Sequence, residues 1–222
     1  IKGCPAFDVH AACSGFLYAL DVANRFVTTG GAKKALIIGS ETLSRVTNWE
    51  DRGTAVLFGD GAGAVVLEAS DEPGVLSTHI HANGEYEDLL QIRQGVSRGY
   101  DITRKGEAFI EMNGNAVFKR AVATFDSIAR ETVEDLEGHL DDIDWFIPHQ
   151  ANMRIIKAAA KKIGLPMDRV VATVDEHANT SGASIPLALD LAVKDGRVKR
   201  GNVLLMAAFG AGFTWGSAMI KF

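Results

Sequence analysis

The chain has 222 residues, 47% of them hydrophobic, and a formal net charge of -5 at pH 7. This composition predicts a globular protein with a large core and excludes a disordered chain. The negative charge argues against a nucleic-acid partner, because phosphate binding requires an excess of Lys and Arg. Neither an apolar run of about 20 residues nor a signal-peptide pattern is present, so we expect a cytoplasmic protein without a membrane partner.

Hydrophobic periodicity predicts strands and helices in alternation along the chain. In chain order we predict a strand before Cys13, a buried helix at 14–27, strands at 35–40, 62–69 and 74–82, a surface loop at about 86–108, a helix at about 114–136, a strand at 143–149, a helix at about 151–163, and strands at 170–175, 202–209 and 214–222. Such alternation is typical of βαβ crossovers and a mostly parallel sheet. The glycine-rich segment 59–64 matches a dinucleotide-binding pattern, but a strand follows it where that site requires a helix, so we reject a nucleotide site.

Two segments of the sequence repeat each other. DVHAACSG at 8–15 and DEHANTSG at 175–182 share Asp, His, Ala, Ser and Gly in one register, and each leads into a helix and an apolar strand. The repeat predicts a duplicated fold with a first half at 1–70 and a second half at 71–222. Because about 100 residues of strand and helix precede the second copy, we expect a complete version to carry about 100 more residues upstream of the first.

Cys13 is the candidate nucleophile. It lies where a predicted strand meets a helix, and a helix N-terminus can lower the pKa of a thiol toward the reactive thiolate. A buried cysteine is also often an inert small hydrophobe, and this interpretation remains open for Cys13. We assign it to Cys4, and we expect both cysteines to be free thiols.

His149 and Asn179 are candidate partners of Cys13. Each follows a predicted strand, and the carboxyl ends of strands meet at one edge of a sheet. An imidazole can transfer protons, and a carboxamide can donate a hydrogen bond to developing negative charge. A purely structural role remains open for each. His79 and His81 lack a third ligand at suitable spacing, so we expect no metal.

Two further features suggest functions. The glycine turn at 209–212 is suited to close backbone approach, and its N–H groups could serve an oxyanion hole beside Cys13. The helix ANMRIIKAAAKKIG carries Arg154, Lys157, Lys161 and Lys162 without an acidic residue. This local positive charge could attract an anionic partner or could simply be a solvated helix face.

The segments around these residues resemble one family. AACSGF, IPHQANMRI, HANTSGAS, AAFGAGFTWGS and DRGTAVLFGDGAGAVVLEAS together resemble β-ketoacyl-acyl carrier protein synthase III, and the resemblance covers essentially the whole chain. It implies an α/β thiolase-like duplicated fold, layered αβαβα, with mostly parallel mixed sheets around buried helices and an incomplete first half. The family's N-terminal portion, which this chain lacks, supplies part of the sheet, a CoA clamp and dimer contacts.

The resemblance implies a decarboxylating Claisen condensation that starts type II fatty acid synthesis. Cys13 would take an acyl group from acetyl-CoA or another short acyl-CoA, and His149 and Asn179 would stabilise the enolate formed when malonyl-acyl carrier protein loses CO2. The product would be 3-ketoacyl-acyl carrier protein. The resemblance further implies a homodimer without a cofactor, since acyl-CoA is a substrate.

The resemblance also assigns the residues around the reacting groups. The backbone N–H groups of Cys13 and Ala211 would form the oxyanion hole, although some relatives have glycine at the latter position. The CoA tunnel would be lined by Arg52, Asn115, Phe118, Ala151 and Asn152. The acyl pocket would be bordered by Leu43, Leu57 and Phe58, with Phe209 supporting the catalytic groups. The acidic carrier protein would dock on Lys119, Arg154, Lys161 and Lys162.

Other functions compete with this interpretation. A related polyketide or quinolone-type condensing enzyme would share the same catalytic residues. An inactive fragment that binds the carrier protein or mediates dimerisation would have the binding surface of the enzyme but not its catalytic activity. Papain-type hydrolases also use Cys, His and Asn, but the sequence around Cys13 lacks their CGSCW signature.

Overall fold

The computed structural model describes residues 2–101 and 108–222, which form a mixed α/β structure. The strands are β1 Lys34–Thr42, β2 Asp60–Glu68, β3 Val75–Ala82, β4 Leu90–Gln91, β5 Glu111–Met112, β6 Trp145–Pro148, β7 Val203–Gly210 and β8 Thr214–Lys221. The helices are α1 Gly15–Thr28, α2 Gly114–Asp135, α3 Met153–Ile163, α4 Val174–His177 and α5 Ser184–Lys194. Short 3-10 turns precede α1 at Ala12–Ser14 and α5 at Ser181–Ala183.

The strands form a four-stranded sheet in the order β3-β8-β7-β6 and two smaller pairs, β1-β2 and β4-β5. Within the described residues β6 and β7 are the one parallel pair, and the other pairs are antiparallel. The sheets are therefore mixed, but the predicted mostly parallel arrangement is wrong. A short turn joins β7 to β8, and such a connection permits only antiparallel pairing. The chain returns from β6 to β7 through helices, which permits parallel pairing.

Strand β7 separates two hydrophobic cores. Leu205, Ala207 and Phe209 pack with α2 and α3 on one face, and the alternate residues Leu204 and Met206 pack with α1 and α5 on the other. This alternation follows from the two-residue period of a strand.

Helices α1 and α5 lie between the β1-β2 sheet and the four-stranded sheet, since α1 contacts β1 and β3 and α5 contacts β2 and β6. The described residues thus form four successive layers of sheet and helix. Leu36, Ile38 and Val66 are exposed on the outer face of β1-β2.

The predicted duplication is visible in the order of elements. In each copy a 3-10 turn is followed by a buried helix and a strand that pairs antiparallel with a later strand: α1, β1 and β2 in the first copy, α5, β7 and β8 in the second. The expected boundary near residue 70 falls between β2 and β3, which belong to different sheets. The division of the chain at that position remains a prediction.

Three predicted segments differ from the structure. The segment before Cys13 is not a strand, because no described strand lies beside it to form a ladder. The segment 170–175 is not a strand: Val170 makes a single bridge to Phe146, and the chain turns into α4 at Val174. The predicted loop at 86–108 starts within a 3-10 turn, Gly84–Leu89, and includes β4, which pairs with β5. Its residues 102–107 lie outside the described part. No helix in the described ranges combines the length and apolarity needed to cross a membrane.

Candidate active site

Cys13, His149 and Asn179 line the same cavity, which has a volume of about 920 Å³. Cys13 lies in the turn before α1, His149 directly follows β6, and Asn179 lies two residues after the end of α4. The two halves of the repeat thus contribute to one site, and the side chains brought together are 136 and 166 residues from Cys13 in sequence.

The turn that carries Cys13 is held tightly by the end of the chain. Thr214 Oγ1 donates a hydrogen bond of 2.9 Å to the carbonyl of Ala11, and Ser14 Oγ donates one of 3.2 Å to the carbonyl of Thr214. A Cβ atom at Gly210 would lie 2.6 Å from the backbone nitrogen of Cys13. Only glycine permits this approach, and the backbone of β7 therefore lies directly against the backbone of Cys13.

Burial raises the pKa of the Cys13 thiol to about 11, and the negative charge of Glu41 adds to this effect. A hydrogen bond from the side chain of Ser181 acts in the opposite direction and is outweighed. The pKa is therefore raised, opposite to the lowering that a helix N-terminus can cause, because removing the thiolate from water has the larger effect. At neutral pH Cys13 is a neutral thiol.

His149 is 1% exposed, and its ring meets that of Phe209 edge-on, with centroids 5.8 Å apart. Burial lowers its pKa to about 3, so the imidazole is neutral at physiological pH. Its Nδ1 has no hydrogen-bond partner among the described residues. A neutral imidazole carries one donor and one acceptor nitrogen and can therefore take up or deliver a proton.

Gln150 fixes the turn that follows His149. Its Nε2 donates to the carbonyls of Pro148 and Val171, at 2.8 and 3.1 Å, and its Oε1 accepts from the backbone N–H of Thr173 at 2.7 Å. These bonds tie the end of β6 to the segment leading to α4. The position of His149 relative to Asn179 is thereby fixed from both sides.

Asn179 is 6% exposed, and its Oδ1 accepts a hydrogen bond of 2.9 Å from the backbone N–H of Ser181. Its backbone is held between Leu57 and Gly59 by bonds of 2.8 and 2.9 Å. Because the carboxamide oxygen is occupied, the Nδ2 group remains to donate a hydrogen bond. The site thus combines a neutral thiol, a neutral imidazole and an amide donor, which suits attack on a carbonyl and stabilisation of the oxyanion that forms.

Most of the other predicted substrate residues line this cavity: Leu57, Phe58, Asn115, Phe118, Ala151, Asn152 and Phe209. Two do not. Arg52 is exposed beside the lining residue Gly53, and Leu43 lies half-buried in the turn after β1. Ala211 lines a second cavity of about 420 Å³ together with Ala11 and Ala12. The roles assigned to all these residues remain predictions.

Asn152 has a structural role in addition to its place in the cavity. Its Oδ1 accepts a hydrogen bond of 2.9 Å from the backbone N–H of Ile155 and so caps the N-terminus of α3. Such a cap stabilises a helix by about 1 kcal/mol. The Nδ2 group is therefore the part of Asn152 that can bind a ligand.

The predicted docking residues lie on the surface of α2 and α3. The guanidinium of Arg154 lies 5.5 Å from the ring centroid of Phe118, and both residues line the cavity. Lys161 is exposed two turns further along the same face of α3. The Nζ atom of Lys162 lies 3.9 Å from the carboxylate of Asp126, so part of its charge is compensated. Lys119 is exposed on α2.

Sequence reasoning missed one wall of the cavity. Asp88 and Leu90 come from the segment taken for a surface loop, and Glu111 and Met112 form β5. Arg93 bridges the two carboxylates, at 3.2 Å from Asp88 and 2.7 Å from Glu111. Isolated apolar residues in a polar segment are the one signal that could have indicated this wall.

A thiol, an imidazole and a carboxamide around one cavity in a duplicated α/β fold define an acyl-transfer enzyme of the thiolase-like class. Family models agree: that of 3-oxoacyl-[acyl-carrier-protein (ACP)] synthase III matches residues 7–84, and that of its C-terminal part matches residues 133–222. The chain belongs to the 3-oxoacyl-[acyl-carrier-protein] synthase III family. The predicted family is confirmed, and so is the predicted thiolase-like α/β fold class apart from its mostly parallel pairing.

Individual relatives are longer than this chain, which matches about two thirds of their length. A β-ketoacyl-[acyl-carrier-protein] synthase III from Thioalkalivibrio sulfidiphilus is 63% identical, and the match covers 100% of this chain and 69% of the relative. The crystal structure of 3-oxoacyl-[acyl-carrier-protein] synthase III from Aquifex aeolicus VF5 matches with a TM-score of 0.92 and 44% identity, over 100% of this chain and 68% of that one. The priming β-ketosynthase of the R1128 polyketide biosynthetic pathway has a TM-score of 0.92 and 35% identity, over 99% and 66%.

Proposed function

We propose that this protein catalyses the decarboxylating condensation of a short acyl-CoA, with acetyl-CoA as the expected primer, and malonyl-acyl carrier protein. The products are 3-ketoacyl-acyl carrier protein, CoA and CO2, and the reaction starts type II fatty acid synthesis. The observation that carries this proposal is the convergence of Cys13, His149 and Asn179 on one cavity. Membership of the synthase III family supports the choice of substrates.

In the first half-reaction Cys13 Sγ attacks the thioester carbonyl of acyl-CoA, the thiol proton passes to the departing CoA sulfur, and an acyl-Cys13 thioester remains. His149 is suited to relay that proton because burial keeps its imidazole neutral. We assign the oxyanion hole to the backbone N–H groups of Cys13 and Ala211. One such donor contributes about 100- to 1000-fold to the rate.

In the second half-reaction malonyl-acyl carrier protein loses CO2, and the resulting enolate attacks the acyl-Cys13 carbonyl. The Cys13 sulfur leaves as a thiolate and takes a new proton from solvent, because its original proton left with CoA. His149 and Asn179 Nδ2 would donate hydrogen bonds to the enolate oxygen, since Asn179 Oδ1 is already held by Ser181. A site that binds negative charge in this way lowers the barrier to loss of CO2.

The partners are therefore acyl-CoA and the acyl carrier protein, which we assign to the surface of Lys119, Arg154, Lys161 and Lys162. The chemistry requires no cofactor, because thioester exchange and decarboxylation use only the substrates' own electrons. We further propose a cytoplasmic homodimer. The exposed apolar residues on the outer face of β1-β2 support this proposal, because exposed apolar patches are typical of surfaces that another protein covers.

Mass spectrometry after incubation with acetyl-CoA tests the proposal. We expect an acetyl adduct on the peptide that contains Cys13 and none on the peptide that contains Cys4, which is exposed. Absence of the Cys13 adduct, with the carrier protein still bound, would support a carrier-binding fragment instead. Competing primer and extender pairs distinguish the polyketide and quinolone-type alternatives, which the family comparison does not favour.

A further inference from the structure

We propose that Ser181 and Glu41 are positioning residues that hold the Cys13 thiol and the Asn179 carboxamide in one fixed arrangement. Glu41 anchors the backbone of the turn Ser181–Ala183. Ser181 holds the Asn179 carboxamide through its backbone N–H, and the same turn packs against the turn that carries Cys13. The proposal rests on Cys13 being the acylated residue, as proposed above.

The first step is the anchor between the two halves. Glu41, near the end of β1, accepts a hydrogen bond of 3.1 Å from the backbone N–H of Gly182 through its Oε1. The turn also packs closely on β1, because a Cβ atom at Gly39 would overlap the carbonyl group of Gly182. Strand β1 thus sets the position of this turn through one polar contact and one steric contact.

The second step is the double role of Ser181. Its backbone N–H holds Asn179 Oδ1 at 2.9 Å. Its turn also packs on the turn that carries Cys13, because a Cβ atom at Gly182 would lie 3.5 Å from the carbonyl oxygen of Ala12. Ser181 is 5% exposed and adopts a left-handed backbone with φ of +48°, a conformation uncommon outside glycine. A buried residue held in this conformation by its neighbours can orient two groups at once.

The two residues have opposite electrostatic effects on the nucleophile. The Ser181 hydrogen bond lowers the pKa of Cys13, and the charge of Glu41 raises it. The other titratable or charged groups around the same cavity are Asp88, Glu111, His149 and Arg154, and those around the neighbouring smaller cavity are His10 and Glu87. Substitutions at Glu41 and Ser181 leave all of these groups unchanged. The effect of each substitution on the reactivity of Cys13 can therefore be measured separately.

The rate of Cys13 alkylation by iodoacetamide, followed by peptide mass spectrometry between pH 7 and 9.5, measures the thiolate fraction. We expect Ser181→Ala to slow alkylation about three- to tenfold at each pH, which corresponds to the loss of one hydrogen bond of typical strength. Ser184→Ala is the matched control, because this buried serine lies on the same segment but contacts Thr180. We expect its profile to overlay that of the unaltered protein.

Variants at Glu41 separate charge from anchoring. Glu41→Gln keeps an oxygen that can accept from Gly182 but removes the charge, so alkylation should become about three- to tenfold faster. Glu41→Ala also removes the acceptor, and we expect malonyl-acyl carrier protein decarboxylation to fall at least fivefold below that of Glu41→Gln, because Asn179 loses its support. Glu68→Gln, which removes a carboxylate at the other end of the β1-β2 sheet, should change neither rate.

The outcomes distinguish this inference from the proposed function. The positioning role would be overturned if the alkylation rates of Ser181→Ala and Ser184→Ala agreed at every pH. It would also be overturned if Glu41→Gln and Glu41→Ala decarboxylated malonyl-acyl carrier protein at equal rates. In both cases acetylation of Cys13 would still occur. Failure of the unaltered protein to acetylate Cys13 would overturn the proposed function itself. Glu41→Gln changes no backbone contact, so it provides a test even where Ser181→Ala does not fold.

Discussion

His149 lies in a fully buried environment between the end of β6 and the ring of Phe209. Its pKa is lowered to about 3 by this burial, whereas an unfolded chain binds a proton near pH 6.5. Between these values the unfolded state holds more protons than the folded state. Acidification through this range therefore favours unfolding.

We predict that the free energy of unfolding falls by about 1.4 kcal/mol for each pH unit below 6.5 on account of this residue. The stability that the neutral, buried His149 permits is fully retained above pH 6.5 and is lost progressively as the pH falls toward 3. Urea unfolding at pH 7 and pH 5 should show the decrease in the unaltered protein and a smaller one in His149→Gln. His139→Gln, at an exposed histidine, should retain the full decrease. Equal pH dependence in both variants would contradict the prediction.

The convergence of Cys13, His149 and Asn179 on one cavity could be predicted from sequence because each lies in a distinctive motif, but the pKa values of Cys13 and His149 could not. The pKa of Cys13 depends on burial by segments far away in sequence and on the charge of Glu41. The position of Cys13 at a helix N-terminus, which the sequence does reveal, favours the thiolate, yet desolvation has the larger effect. Glu41 lies outside the motif around Cys13, and nothing in the sequence marks its contact with Gly182.

Among the secondary-structure elements, β1 depends on glycine for its contact with the second half. A Cβ atom at Gly39 would meet the backbone of Gly182 and would lie 3.1 Å from the Cα atom of Ala183. We predict that Gly39→Ala destabilises the protein by about 1–3 kcal/mol, since backbone on both sides must shift. Gly74→Ala is the control, because a Cβ atom there would meet nothing within 4 Å. Urea midpoints that are equal for the two variants would contradict this.

Long elements with strong periodicity agreed with the structure to within a few residues. The helix predicted at 114–136 is α2, Gly114–Asp135, and the strand predicted at 74–82 is β3, Val75–Ala82. The segment 170–175 was misread because Val170 and Val171 are buried as in a strand but lack a neighbouring ladder. Apolarity indicates burial, whereas pairing depends on partners distant in sequence.

At the scale of the whole molecule, the net charge is -5, yet α2 and α3 carry the basic residues Lys119, Lys161 and Lys162 and the cavity-lining Arg154. We predict that Arg154→Glu raises the KM for malonyl-acyl carrier protein about tenfold or more and leaves the rate of Cys13 acetylation within twofold, because charge reversal affects the acidic partner first. Arg200→Glu is the control: this exposed arginine also lies over an aromatic ring, that of Phe222, but precedes β7 at the end opposite the cavity. Equal loss of both half-reactions in Arg154→Glu would contradict the docking role.

Strand β7 lies between the two hydrophobic cores, and its last residue, Gly210, lies directly against the backbone of Cys13. A substitution on either face of β7 shifts the backbone of the strand. That shift disturbs the packing of both cores and the position of Cys13 at the same time. The strand therefore offers few positions where natural variation can accumulate without a loss of chemistry, even though none of its side chains except Phe209 borders the substrate cavity.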